Sequence, residues 1–592
     1  MTGENKLEND ALKFVPLPAS DDIPVDLMDP GLSCFHGAFR QEWETGGCRR
    51  SMVCYLPEGF RQNNRCIIAI PPSRTDPLLF LQESGLRTLA DRQKLLICLP
   101  EPKTAGWQYD GADADFMNAA YKKVQSREYY VVMQDCIYAM GFGDGTVIAL
   151  QAVMKLASEW SGAAIFGQPS QEVFAAGEAS DELGIGVQSE ELFISGQHAQ
   201  LPIWFFPDCE TETLQKITAY WRRENQDQEK PLFDEWGTQI FLPVPVRDTS
   251  KINDDNIAQV RISIGLTNKL PLAECVEYSW KYIGAARRHR SYGGKILRYY
   301  RDPLLHGAVY HTMKVDGMQR EWYEYVPSCC RSSAAVPLVV VFHGRGGNAE
   351  TFFDITDMSL EAEERGFIAV FPTADIYQIR KGGFRGVRLW NGSYDGKDCD
   401  SLPFIRKMIA DVQARHSVDN GRIYACGQSS GGAMTMYCAL AASDLFCAAA
   451  PWSGVCFPGG FMMSYKTDNL PLKAAVPIQL IVGKQDVFLG QESLQPLPEE
   501  GELAKFVRFI LNEYDLKTEP VRYRCKPIDY YIWSDGQGIP LLTIGLVDDM
   551  PHANFPEECR IAYDQFFAEY FMDHEGNRYY LGRRINPING CR

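Results

Sequence analysis

The sequence has no surplus of positive charge: 59 Lys and Arg stand against 76 Asp and Glu, a net charge of −17. Nucleic acid and anionic membrane surfaces both need clustered cationic side chains, so neither is an expected partner. No eighteen apolar residues run together, which removes a transmembrane helix from the expected elements. The opening MTGENKLENDALKFVPLPASDD lacks the basic segment and apolar stretch of a secretory signal, so the expected location is the cytoplasm. Eighteen cysteines are present, but no CxxC occurs and only Cys329 and Cys330 are adjacent. The paired ligands of a zinc site are missing, and many thiols fall in apolar runs such as RCIIAI, LLICLP and RIYACG. Buried, reduced cysteine acting as a small hydrophobe is the simplest reading. What the chain does have is length and apolar content. With 592 residues, 45% of them hydrophobic, two or more well-filled cores are expected.

The clearer pattern lies in the second half. A strand pair over 309–327 is followed by PLVVVFHG, a wholly apolar run of the kind buried on both faces of a parallel sheet. Then come a helix (MSLEAEERG), a strand (FIAVFP), an amphipathic helix (FIRKMIADVQARHS) and a strand (RIYACG). A helix of small residues (SSGGAMTMYCALAASD) and the strands FCAAAPWSG, PIQLIVG and PLLTIGLV complete the series. Strand alternating with helix predicts a doubly wound α/β fold.

Residues 34–283 repeat that order. CYLPEGF matches EYVPSCC, CIIAIPP matches VVVFHGR, LLICLP matches FIAVFP, and GWQYDG matches LWNGSYDG. CIYAMGFGDGT matches RIYACGQSSGG, AAIFG matches AAAPWSG, LPIWFF matches VPIQLI, and ISIGLTNKLPLA matches LTIGLVDDMPHA. Eight matches in one order predict a tandem duplication. The expected organisation is two α/β-hydrolase-type domains, 30–285 and 306–592, joined by a basic linker over 286–305 that contains Gly293–Gly294.

Gly427-Gln428-Ser429-Ser430-Gly431 is a G-x-S-x-G placed after a strand and before a helix. That setting lifts a serine hydroxyl clear of the sheet on a sharp turn, with glycines permitting close backbone approach. Ser429 is therefore the candidate nucleophile. A base must follow it in chain order, and only His552 and His574 do so. His574 lies in a polar tail, whereas His552 follows a strand, so His552 is the expected base. Asp486, just past PIQLIVG, is the expected acid that orients the imidazole; Asp515, Asp529, Asp548 and Asp549 are rivals. The glycine-rich FHGRGGN after strand VVV predicts an oxyanion loop, with the backbone N–H groups of Arg345 and Ser430 as donors. His343 is expected to shape that loop rather than to react. Trp390, Asn391 and Trp452 are expected to line the substrate pocket, Trp452 because it ends a strand at the sheet edge where ligands bind.

HGRGGN, Trp390–Asn391, DSLPFIRKMI and GQSSGGAM together resemble the polyhydroxybutyrate depolymerase and feruloyl esterase superfamily, over about residues 306–572. Arg345 replaces the frequent cysteine of that pattern, Gln428 the frequent leucine, and HANFP the usual H-x-W-P ending. The resemblance implies ester hydrolysis. The expected substrate is a small soluble ester, aromatic (hydroxycinnamoyl-type) or hydroxyalkanoate, split through an acyl-enzyme with neither metal nor organic cofactor. The same triad would also serve a peptidase or an acyltransferase, and a binding or scaffold protein with vestigial chemistry is the alternative of another class.

In the first copy Gly143 stands at the position of Ser429, Leu272 at that of His552, and Pro71–Pro72 at that of His343–Gly344; proline has no N–H, so an oxyanion donor is expected to be missing with the nucleophile and base. Asp208 and Glu210 lie near the acid position with no base to orient. This copy is expected to be catalytically dead, and to cover apolar surface, wall the pocket or build a homodimer interface.

Overall fold

The computed structural model describes residues 12–126, 128–176, 183–184, 193–194, 199–245, 254–289, 296–331, 334–375, 388–391, 400–463 and 475–587. Gly293–Gly294 lie outside them, as does most of the stretch after Asn391.

Among the described residues two ten-stranded sheets organise the chain, one in each half. With the strands of each sheet counted in chain order, both run 1-2-4-3-5-6-7-10-9-8. In the C-terminal half the centre is parallel: Ile368–Pro372, Val336–Phe342, Val418–Gln428, Ala448–Trp452, Ile478–Gly483 and Pro540–Val547 lie side by side. These strands read as apolar runs because helices cover both faces, and Leu338 to Phe342 are wholly buried. Antiparallel hairpins close each edge, Val309–Val315 with Met318–Tyr325 and Val521–Cys525 with Ile528–Ser534. Helix Leu402–Arg415 starts with a proline in its first turn and turns Phe404, Ile405, Met408, Ile409 and Val412 to the core. Helix Ser430–Ala441 is buried almost all round. Its small residues let it lie on the sheet: a Cβ on Gly432 would stand 2.9 Å from Gly454 Cα.

The equivalence of the halves extends to single hydrogen bonds. Trp107 Nε1 donates to the Pro71 carbonyl at 2.9 Å and Trp390 Nε1 to the His343 carbonyl at 2.8 Å. The Tyr138 hydroxyl donates to Ala286 O at 2.6 Å and that of Tyr424 to Tyr570 O at 2.7 Å. Arg288 donates to the Trp160 and Ala157 carbonyls, and Arg578 to those of Cys447 and Phe446.

That last pair corrects the expected linker over 286–305. Ala286–His289 and Ile296–Tyr299 form an antiparallel hairpin that completes the N-terminal half, as Tyr570–Met572 and Arg578–Tyr580 complete the other. The basic composition misleads because Arg287 and Arg288 are 3% and 1% exposed; they satisfy internal carbonyls and a carboxylate instead of meeting solvent. The described cysteines are all free thiols, mostly buried, with the Cys329 and Cys330 sulfurs 3.9 Å apart. Among the described residues no helix is long and apolar enough to cross a membrane.

Candidate active site

Strand Val418–Gln428 hands the chain to helix Ser430–Ala441 through a single residue, Ser429, at φ 57° and ψ −119°. A non-glycine residue in that region is strained and persists only where its surroundings fix it. Here Ser429 N–H donates to the Trp452 carbonyl at 2.9 Å, and glycines make room on every side. A Cβ on Gly427 would meet Phe342 O at 2.4 Å, one on Gly431 the same oxygen at 2.1 Å, and one on Gly454 Ser429 O at 2.1 Å.

The turn points the Ser429 hydroxyl at His552, 2.8 Å from Oγ to Nε2. The other ring nitrogen, Nδ1, lies 2.9 Å from Asp486 Oδ2. With Asp486 accepting at Nδ1, the neutral tautomer leaves Nε2 free to accept the serine proton. Asp486 is fixed in turn by the N–H groups of Phe488 and Leu489, which donate to its Oδ1 at 2.9 and 3.2 Å. The residues expected as nucleophile, base and acid thus form one hydrogen-bonded chain across 123 and 66 residues of sequence. Two of the rival acids are engaged elsewhere: Asp529 and Asp548 both bind Lys484, at 2.8 and 2.7 Å.

The loop after Val336–Phe342 lies against the nucleophile. A Cβ on Gly344 would stand 2.5 Å from Gln428 Oε1 and 3.6 Å from the Ser429 Cβ, so the next amide, that of Arg345, belongs to the serine's flank. Ser430 opens the following helix, where an N–H has no intrahelical acceptor. His343 sits beneath the loop, wholly buried. Its Nε2 accepts the Ala374 N–H at 2.9 Å, so Nδ1 carries the proton and donates to Gly344 O at 2.7 Å. Burial pushes its pKa down to about 3, which keeps the ring neutral as a structural strut.

Trp390 and Trp452 are placed differently from expectation. They are 2% and 0% exposed and belong to the hydrophobic core, so neither ring offers a surface to a substrate. Trp390 packs edge-on against Phe342 and holds the loop through the His343 carbonyl. Asn391 is buried beside it, its N–H donating to Ser401 Oγ at 3.1 Å. The aromatic rim is formed by residues the sequence reading passed over. Phe488 stands edge-on to His552 with ring centroids 4.9 Å apart, and Phe461, 74% exposed, stacks on Phe488 at 5.8 Å. The nearness of Phe488 to Asp486 in the sequence was the available signal; Phe461 had none.

The loop carrying His552 is anchored by Glu558, whose buried carboxyl accepts the Asn554 side-chain amide and the Phe555 N–H. Burial raises its pKa to about 8. A carboxyl whose folded pKa lies above its unfolded value contributes stability at low pH that is lost as pH rises to the folded pKa. Melting temperature is therefore expected to fall between about pH 5 and pH 8 through this group, and Glu558→Gln should flatten that part of the curve. An unchanged slope in the variant would contradict the assignment.

At the matching place in the N-terminal half a similar strand-to-helix turn carries neither serine nor histidine. Gly143 has φ 54° and donates to Phe166 O at 2.9 Å, while Leu272 merely opens a helix. The expectation that prolines remove an oxyanion donor needs correction. Strand register aligns Ser73, not a proline, with Arg345, and the Ser73 N–H donates to Asp144 Oδ1 at 2.7 Å. A carboxylate occupies the place where an oxyanion would bind. Gly143→Ser in a Ser429→Ala background is accordingly expected to leave the chain unlabelled by fluorophosphonate, as read by intact mass.

Residues 322–480 match the family model described as Esterase PHB depolymerase. The match lies wholly within the C-terminal half. The match takes in the oxyanion loop and the elbow and ends ahead of Asp486 and His552. Feruloyl esterase B of Thermothelomyces thermophilus is 31% identical over 141 residues, 23% of this chain and 45% of its own length. Feruloyl esterase B of Neurospora crassa is 32% identical over 140 residues, 23% and 46%. Poly(3-hydroxyalkanoate) depolymerase C of Paucimonas lemoignei is 28% identical over 138 residues, 23% and 31%. The chain spans less than half the length of these relatives. An acetyl xylan esterase from Aspergillus awamori superposes on 44% of this chain and 99% of its own at 17% identity, with a TM-score of 0.33.

Proposed function

We propose that the chain is a serine carboxylic ester hydrolase, with Ser429 as nucleophile, His552 as general base and Asp486 as the acid that orients it. The observation carrying the reading is the bond chain from Ser429 Oγ through His552 to Asp486, held at the head of a helix on a strained serine. In the first step Ser429 Oγ attacks the ester carbonyl while its proton passes to His552 Nε2. The tetrahedral oxyanion meets the N–H groups of Arg345 and Ser430, and collapse expels the alcohol, which takes the proton from His552. Water, deprotonated by His552, then attacks the acyl-enzyme; the acid leaves and Ser429 regains its proton.

The exposed Phe461 and the Phe488 beside His552 favour esters with an aryl or other apolar group near the reacting carbonyl. We read the N-terminal half as a duplicated copy that has lost its chemistry, on the shared strand order and the shared Trp, Tyr and Arg hydrogen bonds. The test is a panel of p-nitrophenyl acyl esters and hydroxycinnamate methyl esters, with Ser429→Ala as control. Turnover of any of them by the wild type alone supports the reading, and equal rates for both proteins would sink it. Adding a primary alcohol to the same assay separates hydrolysis from acyl transfer by whether a new ester forms.

A further inference from the structure

Helix Ala349–Ile355 begins where the oxyanion loop ends. Asn348 caps it through a reciprocal pair of bonds, its Oδ1 accepting Thr351 N–H at 2.8 Å and its N–H donating to Thr351 Oγ1 at 2.9 Å. Loop and helix are joined without slack. The inner polar groups of this helix are held by the other half of the chain. Asp354, with no exposed side-chain surface, lies 2.5 Å from Arg287 Nε, itself only 4% exposed. The same carboxylate accepts the Arg301 N–H at 2.8 Å. One turn earlier Glu350 accepts the Tyr300 hydroxyl. Arg287 and Tyr300 belong to the hairpin that completes the N-terminal half and to the residue that follows it.

A second route reaches the loop from its far side. Gly346 N–H donates to the Arg388 carbonyl at 2.8 Å. The buried Arg388 guanidinium lies 3.5 Å from Glu321, and Arg61 of the N-terminal half donates to the other oxygen of Glu321 at 3.0 Å. Burial alone would raise the Glu321 pKa, but the two guanidiniums bring it below its ordinary value. Back at the Arg287–Asp354 contact, a small cavity is bounded by that pair and by Asn554 and Glu558 of the His552 loop.

A half that only covered apolar surface would have no need of a buried ion pair. Apolar residues fill such a place at least as stably, whereas charges in low dielectric tolerate little change in geometry. We propose that the N-terminal half positions the oxyanion loop of the C-terminal half, with Arg287 acting as a positioning residue through Asp354 and helix Ala349–Ile355. The proposal rests on the reading of Ser429 as the nucleophile. A shift of this helix moves the Arg345 N–H relative to an oxygen that becomes negative only in the transition state. The penalty therefore falls on kcat and leaves KM nearly alone.

The test compares full-length Arg287→Met and Arg287→Lys with the wild type and Ser429→Ala, using p-nitrophenyl acetate and checking folding by circular dichroism. Arg287→Met is expected to lower kcat by about 10- to 100-fold with KM unchanged, less than or equal to the loss of one oxyanion donor. Arg287→Lys should recover much of it, and amide hydrogen exchange at 343–348 should quicken in Arg287→Met. A folded Arg287→Met with wild-type kcat and unaltered exchange overturns the proposal. So does a loss that Lys fails to rescue while exchange in the loop stays the same. Equal turnover by wild type and Ser429→Ala would instead defeat the assignment of the nucleophile, and loop exchange would still decide whether Arg287 holds the loop. Should Arg287→Met fail to fold, Tyr300→Phe removes only the hydroxyl bound by Glu350 and carries the same comparison.

Discussion

Replacing Ser429 with alanine is expected to lower kcat for p-nitrophenyl acetate by about 10^4- to 10^6-fold, with His552→Ala falling in the same range. The two share one role: the hydroxyl is a weak nucleophile until Nε2, 2.8 Å away, takes its proton. Removing both should therefore cost little more than removing either. Asp486→Asn leaves a side chain of the same shape but offers an amide to Nδ1, which favours the wrong tautomer, and a loss of about 10^4 is expected. The folds should survive, since Ser429 leaves a strained backbone when truncated and gains nothing by it. Initial rates, together with fluorophosphonate labelling located by peptide mass, check the set. Ordinary turnover by Ser429→Ala would remove the mechanism.

The second large effect concerns the chain as a whole. Residues 300–592 expressed alone are expected to be poorly soluble or markedly less stable than the full chain. Cutting there deprives Asp354 of Arg287 and Glu321 of Arg61. Breaking a buried pair by removing one partner costs about 3–5 kcal/mol, a large part of the roughly 5–15 kcal/mol that holds a typical domain folded. The Gln319 N–H also loses the Leu27 carbonyl, 2.9 Å away. Melting temperature and specific activity of the two proteins measure this directly. A fragment equal to the full chain in both would show that the N-terminal half is not a structural partner.

Much of this protein follows from residue pattern alone. Apolar runs of strand length, alternating with amphipathic helices, dictate a parallel sheet covered on both faces, because only burial on both sides tolerates PLVVVF or PIQLIV. The glycines around Ser429 mark the elbow because no side chain fits against Phe342 O or Ser429 O. Chain order and the scarcity of histidine beyond Ser429 narrow the base to two residues. The shared strand order of the two halves was likewise legible, since each strand repeats its apolar signature in sequence.

Packing decided the rest. Whether an arginine is a solvated charge or a buried donor depends on what folds over it, and composition cannot say which; hence 286–305 reads as a linker, whereas Ala286–His289 and Ile296–Tyr299 pair and close the N-terminal half. Trp390 and Trp452 follow the same logic in reverse, since an indole beside the site in sequence becomes core when a neighbouring helix covers it. The plugging of Ser73 by Asp144, the rim of Phe461 and Phe488, and the Arg287–Asp354 pair all join residues far apart in the chain. Apart from the nearness of Phe488 to Asp486, local spacing carries no trace of such contacts. Each arises only when tertiary packing brings its members together, and the buried charges of Arg287 and Asp354 find each other only when the two halves meet.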